Sequence, residues 1–118
     1  MKSYTDIEQS KRLAEILAIE SADAYYTTID QGFFLEVKQG IEPSKDDIPC
    51  WSLTALLDVL PKEINVQGTI YSINIHTKNK KWFIDYKYNN EQFVGVYSNI
   101  FVDACVEMIK KLHELKFL

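Results

Sequence analysis

The side chains in this sequence that could take part in catalysis are few, and their spacing matches no known catalytic or metal-binding motif. The two histidines, His76 and His113, fall in different predicted elements, and a metal site needs three or four convergent ligands. The cysteines, Cys50 and Cys105, have apolar neighbours, which is typical of reduced core thiols. No phosphate-binding loop, nucleophile elbow or zinc motif occurs. We therefore expect no cofactor, metal site or catalytic residue, and a small enzyme with an unrecognised site is the least favoured function.

Basic and aromatic residues meet in the segment 76–88, which the pattern predicts to be a hairpin. Three lysines crowd its turn and are the candidate nucleic-acid contacts: Lys78, Lys80 and Lys81. Lysines on phosphates and rings on bases would hold a single strand. Strand alternation puts Trp82 and Phe83 on opposite faces, however, so these two rings cannot form one platform. A solvated turn that keeps a sheet edge soluble is the favoured alternative.

Adjacent aromatic residues mark two predicted strands in the first half of the chain. Tyr25 and Tyr26 lie in one strand, and Phe33 and Phe34 lie in the other. One ring of each pair should point inward and the other outward. Core or rim packing explains these rings, and an interaction surface is the functional alternative. We expect alanine at outward-facing Tyr25, Tyr26 or Phe33 to change self-association or capture of a partner protein.

Length and composition predict a single domain over residues 1–118. Of the 118 residues, 47% are hydrophobic and 25% are charged, which is close to the globular average. The net charge of −4 disfavours general attraction to a phosphate backbone. No apolar run approaches the roughly 20 residues that span a bilayer, and the first residues do not resemble a signal peptide. We expect a cytoplasmic protein without a membrane partner.

Helix signals occur at three places. Thr5 and Glu8 have the spacing of a capping box, which predicts a helix over 6–18. Ser52 precedes a leucine stripe that Pro61 ends. Ser98 or Asn99 should cap a final helix, whose predicted buried stripe comprises Val102, Cys105, Met108, Ile109 and Leu112.

Alternating apolar and polar residues predict the strands. Two short runs, 24–29 and 33–37, flank a glycine turn, and 40–49 has the composition of a loop. Three further strands at 69–76, 82–88 and 93–97 have short connections, so they should form an antiparallel meander. The prediction is an α+β fold in the order α-β-β-α-β-β-β-α. We expect an antiparallel sheet of three to five strands with helices mainly on one face.

Three segments carry a family resemblance. The stretches 20–26, 48–61 and 101–109 resemble a group of small uncharacterised proteins from phages and mobile elements of gut anaerobic bacteria. This resemblance implies a mobile-element context, but it supplies no activity or binding residues. The favoured hypothesis is a non-enzymatic accessory protein that binds another protein or itself. Nucleic-acid binding through residues 76–88 is the alternative.

Overall fold

The computed structural model describes residues 2–29, 32–37, 44 and 46–118. This part of the chain contains helices α1 (Ile7–Ala14), α2 (Leu53–Val59) and α3 (Phe101–Glu114) and a short 3-10 turn, Ile19–Ser21. Its strands are β1 (Ala24–Ile29), β2 (Gly32–Val37), β3 (Ile48–Cys50), β4 (Glu63–Val66), β5 (Thr69–Lys78), β6 (Lys81–Tyr88) and β7 (Glu91–Ser98). The α+β class and the predicted element order are confirmed, and the short strands β3 and β4 are additions.

Helix α1 is shorter than predicted and has a different cap. Asp6, not Thr5, is the N-cap residue, and its carboxylate accepts a hydrogen bond from the backbone N–H of Gln9 at 2.8 Å. The Gln9 side chain completes the capping box by accepting from the Asp6 backbone at 3.0 Å. Thr5 is instead buried, and its hydroxyl contacts Ser10 at 2.8 Å and the backbone N–H of Trp51 at 3.1 Å. The Thr5 hydroxyl therefore serves tertiary packing rather than capping.

The first two predicted strands belong to a separate three-stranded sheet in the order β2-β1-β3. Strand β3 lies within the segment predicted as a loop over 40–49, of which 40–43 and 45 lie outside the described residues. It pairs antiparallel with β1, matching Tyr26 with Ile48 and Ala24 with Cys50. Pro49 is compatible with this position because β3 is an edge strand of the sheet.

The predicted meander is confirmed and is one strand longer than expected. Strands β4-β5-β6-β7 form a four-stranded antiparallel sheet in sequence order. Two-residue turns connect its first strands, and Gln67, Gly68, Asn79 and Lys80 adopt the positive φ angles that such turns require. We had expected one sheet, whereas the structure divides the strands between two.

Helix α3 covers one face of the four-stranded sheet and the other two helices pack against α3, in agreement with the predicted placement of helices mainly on one face. Helix α3 packs on β6 and β7, α2 packs on α3, and α1 contacts β3 and α3. Ser52 caps α2 by accepting from the backbone N–H of Ala55 at 3.1 Å. Helix α3 begins after Ile100, which makes no side-chain cap, so neither Ser98 nor Asn99 is the N-cap residue. The predicted stripe of α3 is fully buried and forms one core with Trp51, Leu56, Leu60, Ile84 and Tyr86.

Candidate functional site

The opposite face of the four-stranded sheet carries no helix within the described residues. Strand pairing places its side chains in rows across β5, β6 and β7. One row consists of His76, Phe83 and Tyr97, and the next consists of Asn74, Asp85 and Gly95. We call this surface the open face. Because it combines aromatic, acidic and basic side chains, it is the first candidate site.

An aromatic row crosses the open face. His76 and Phe83 stack with ring centroids 5.2 Å apart, and Phe83 and Tyr97 stack at 5.5 Å. Trp82 points to the other face and stacks on Phe101 at 4.1 Å, so the predicted separation of Trp82 from Phe83 is confirmed. Sequence reasoning missed that Phe83 gains two other ring partners, because those contacts depend on strand register. Tyr97 is 61% exposed and offers the most accessible ring.

The three candidate lysines lie at one end of this aromatic row. Lys78 pairs with Lys81 across the last position of the β5–β6 ladder, and Lys80 occupies the connecting turn. All three are exposed. The ammonium of Lys81 lies 5.1 Å from the centroid of the Tyr97 ring, which is cation–π distance. The structure thus brings a predicted basic group next to an aromatic residue that the sequence interpretation did not include.

A buried acidic group lies beside the aromatic row. Asp85 points to the open face but is only 4% exposed, and its Oδ1 atom has no hydrogen-bond partner within the described residues. Its Oδ2 atom lies 3.8 Å from the ammonium of Lys87. Asp85 lines a shallow concavity of about 300 Å³ together with Phe83, Tyr97, Gln92 and Gly95. Sequence reasoning treated Asp85 only as a charge that offsets the lysines.

The concavity owes its shape to two irregular features of β7. A Cβ atom at position 95 would lie 2.7 Å from the side-chain nitrogen of Gln92, so Gly95 lets that amide lie against the strand in its present position. A shift of register between Tyr86 and Lys87 pairs Gln92 with Lys87 and leaves Phe93 as the extra residue. Such bulges redirect side chains and are frequent beside functional sites.

Strand β2 is the second candidate site. It is an end strand of its sheet, and its residues from Phe33 to Val37 are all exposed. Four of them are large apolar residues with exposed fractions between 42% and 52%: Phe33, Phe34, Leu35 and Val37. The predicted candidate Phe33 thus lies on a surface. An end strand with apolar side chains on both faces is a template for pairing with another chain.

The two candidate tyrosines contribute less to a surface than β2. Tyr25 is buried, and its hydroxyl donates to Glu36 at 2.9 Å. This hydrogen bond, followed by burial, raises the pKa of Tyr25. Tyr26 is half-buried and donates to the backbone carbonyl of Thr5 at 2.7 Å. Because both hydroxyls make hydrogen bonds within the protein, we assign these tyrosines a structural role in the sheet and not a binding role.

The remaining reactive groups are dispersed in the structure. His113 lies on α3 and contacts the backbone carbonyl of Leu118, far in sequence and on a different element from His76. Burial raises the pKa of both Cys50 and Cys105 to about 12, which suppresses their nucleophilic thiolate form. Among the residues that the structure describes, no group of three or more potential metal ligands converges.

Two further findings concern the chain as a whole. No helix in the described part of the chain is long and apolar enough to cross a membrane. Comparisons with protein-family models, curated proteins and solved structures find no match to this chain. The arguments about function therefore depend on the two surfaces described above.

Proposed function

We propose that this protein is a non-enzymatic accessory protein of a phage or mobile element that acts by self-association, with β2 pairing against β2 of a second copy. The exposed apolar character of β2 is the observation that carries the proposal. The mobile-element context rests on the family resemblance alone. Pairing two identical strands about a two-fold axis is a common route to a closed dimer.

The backbone of β2 supports this mode of association. On one side β2 pairs with β1 over all six of its residues, from Gly32 to Val37. No other described strand pairs with its second side. Along that side, N–H and C=O groups point away from the sheet, and an antiparallel neighbour would satisfy them. Two three-stranded sheets would thereby join into one of six strands.

The side chains of β2 favour a particular register. Phe33, Leu35 and Val37 share one face of the strand, since residues alternate between faces. With Leu35 on the two-fold axis, the two Leu35 side chains meet, and each Phe33 lies opposite the partner copy's Val37. Glu36 then lies opposite Phe34 of the partner copy instead of opposite a second Glu36. This register forms a continuous apolar row and avoids direct repulsion between carboxylates.

The first test changes Leu35 to Lys. We expect the wild-type protein to have twice the 13.7 kDa mass of the chain in sedimentation or light-scattering measurements at high concentration. Leu35→Lys places two ammonium groups opposite each other on the two-fold axis, so we expect a monomer. Ile70→Lys is the matched control, because Ile70 is a similarly exposed aliphatic residue on the other sheet. It should leave the dimer intact.

A second test checks the register. Antiparallel partners lie about 4.5–5.5 Å apart between Cα atoms, which is within disulfide range. Leu35→Cys should therefore cross-link copies under mild oxidation, whereas Ile70→Cys should not. The native Cys50 and Cys105 are buried and should not interfere. A wild-type monomer at every concentration, or a dimer that survives Leu35→Lys, would exclude self-association through β2.

A further inference from the structure

We infer that the open face binds single-stranded nucleic acid and that Asp85 recognises a guanine base through the N–H groups of its Watson–Crick edge. This surface is separate from β2, and the inference does not depend on self-association. Three observations carry it: a buried carboxyl oxygen without a hydrogen-bond partner among the described residues, the exposed ring of Tyr97 in the same concavity, and lysines at both ends of the surface.

The Oδ1 atom of Asp85, which has no hydrogen-bond partner among the described residues, is the first indication of a ligand. Burial of a polar atom without a hydrogen bond is unfavourable, and such atoms are rare in folded proteins. Asp85 lines the surface concavity that Phe83, Tyr97 and Gln92 also line, so a ligand in this concavity would lie beside the carboxyl group. A carboxylate accepts two parallel hydrogen bonds, and the ligand should therefore present adjacent N–H donors.

The surrounding charge selects the class of ligand. Lys78 and Lys81 lie at one end of the open face, and Lys87 lies beside Asp85. A metal ion or an arginine-rich peptide would be repelled by these ammonium groups. The ligand must donate hydrogen bonds to Asp85 and carry negative charge that the lysines attract. A nucleotide does both, because its base donates hydrogen bonds and its phosphate is negative. Guanine presents N1–H and N2–H side by side, which matches the two carboxyl oxygens.

The size of the surface favours a strand over a free nucleotide. Lys81 and Lys87 are six positions apart along β6, which corresponds to roughly 20 Å at about 3.4 Å per residue. The exposed ring of Tyr97 lies between them, next to the paired position of Phe83. Exposed rings beside basic groups are the usual means by which proteins hold unpaired bases. In a duplex the Watson–Crick edge of guanine would be occupied.

The test measures binding of labelled eight-nucleotide RNAs by fluorescence anisotropy at low salt. We compare alternating guanine–uracil, inosine–uracil and adenine–uracil sequences. Inosine retains N1–H but lacks the N2 amino group. We expect the wild-type protein to bind the guanine strand at least about tenfold more tightly than the other two, since a good bidentate contact discriminates by this order. Affinity should fall steeply as salt is added.

Two variants separate base recognition from general attraction. Asp85→Asn has nearly the same shape and should abolish the preference for guanine while leaving binding of the adenine strand unchanged. Lys81→Ala should weaken binding of all three strands. Lys110→Ala is the matched control, because Lys110 lies on α3 away from the open face, and its removal should have little effect. Thermal unfolding of each variant checks that it is folded.

Asp85→Asn also distinguishes a binding role from a structural one. If the carboxyl group supported the fold, its replacement would lower the unfolding temperature. We expect the unfolding temperature to stay equal or rise, because the variant replaces a buried carboxyl group whose Oδ1 atom has no hydrogen-bond partner within the described residues.

Four results would overturn the inference. The first is a wild-type protein that binds no RNA at low salt. The second is equal affinity for the guanine, inosine and adenine strands. The third is an Asp85→Asn variant that keeps the guanine preference. The fourth is binding of guanosine monophosphate as tight as that of the eight-nucleotide strand, which would exclude recognition of a strand.

Discussion

Asp6 joins the start of α1 to the rest of the molecule. Its carboxylate caps the helix through Gln9 and lies 3.2 Å from the ammonium of Lys2. Lys2 in turn lies 2.8 Å from Asp103 on α3. Burial by itself would raise the pKa of Asp6, but the hydrogen bond from the Gln9 backbone and the interactions with Lys2 outweigh it, and the pKa is lowered.

Replacement of Asp6 tests this cap at the residue scale. Asp6→Ala should lower the free energy of unfolding by about 1 kcal/mol at neutral pH, the usual contribution of a capping side chain. The lowered pKa in the folded protein means that the carboxylate stabilises above its ordinary pKa of 3.8 and loses this effect as pH falls through the folded value. The difference from wild type should therefore shrink in acid.

Urea unfolding measured between neutral pH and strong acid checks this expectation. Asp6→Asn is the control, because asparagine keeps a capping oxygen but cannot titrate. Its unfolding free energy should stay close to that of wild type when Asp6 is protonated. A difference between Asp6→Ala and wild type that stays constant through the acid range would show that the charge of Asp6 contributes nothing.

At the scale of elements, α3 makes the most extensive contacts with the core. Seven of its residues are buried, among them Val102, Cys105, Ile109 and Leu112. They repeat at the three- and four-residue spacing of a helix face, which is why the sequence pattern located this stripe correctly. The helix lies on β6 and β7, so its removal would uncover Ile84 and Tyr86.

A cavity in this stripe should be costly. Ile109→Ala removes three buried carbon atoms from a fully buried position, and we expect a loss of about 2–5 kcal/mol in unfolding free energy. Lys110→Ala, at the adjacent half-buried position, removes a surface ion pair with Glu107 and should change stability by less than about 0.5 kcal/mol. Denaturant unfolding monitored by tryptophan fluorescence measures both. A loss below about 1 kcal/mol for Ile109→Ala would mean that α3 is not a principal part of the core.

At the scale of the whole molecule, the segment that follows β3 connects the smaller sheet to the core. Trp51 follows β3 directly and is fully buried in the same cluster as Ile84, Tyr86 and Leu112. Its indole N–H donates to the Ser21 hydroxyl at 2.9 Å, and its backbone N–H donates to Thr5. The Asp23 carboxylate, just before β1, accepts hydrogen bonds from the backbone N–H and the hydroxyl of Ser52. These contacts connect the three-stranded sheet to α2, so we expect the chain to unfold as one cooperative unit.

The cysteines report on this cooperativity, because Cys50 lies in β3 and Cys105 in α3. Both thiols are buried with pKa values raised to about 12, so they should react only when the structure opens. We expect a thiol reagent to modify them slowly and at the same rate at neutral pH, as measured by peptide mass spectrometry. The unfolded protein, with both thiols accessible, is the control. Faster modification of Cys50 would show that the smaller sheet opens independently.

Local periodicity in the sequence determined most of the elements. Alternation over 69–88 and the stripe after Ile100 specify which side of each element is apolar. Those apolar sides must be buried away from water in any fold. The two shortest strands escaped prediction for different reasons. Strand β3 has three residues, too few to show a period, whereas Gln67-Gly68 beside β4 was a turn signal that could have revealed it. The cap at Asp6 was missed because Thr5 and Glu8 also have the spacing of a capping box. Only the tertiary contacts that bury Thr5 exclude it as the cap.

Tertiary structure alone decided the candidate sites. Alternation assigned Phe83 and Asp85 to one side of β6, but the register with β7 brought Tyr97 and Gly95 beside them. Likewise, the sequence pattern predicted that β2 is a strand, but it did not predict that β2 lies at the end of a separate sheet. Which side chains alternate is a property of neighbouring residues. Which strands become neighbours depends on pairing between distant segments, where the free energy is set by the packing of the whole core.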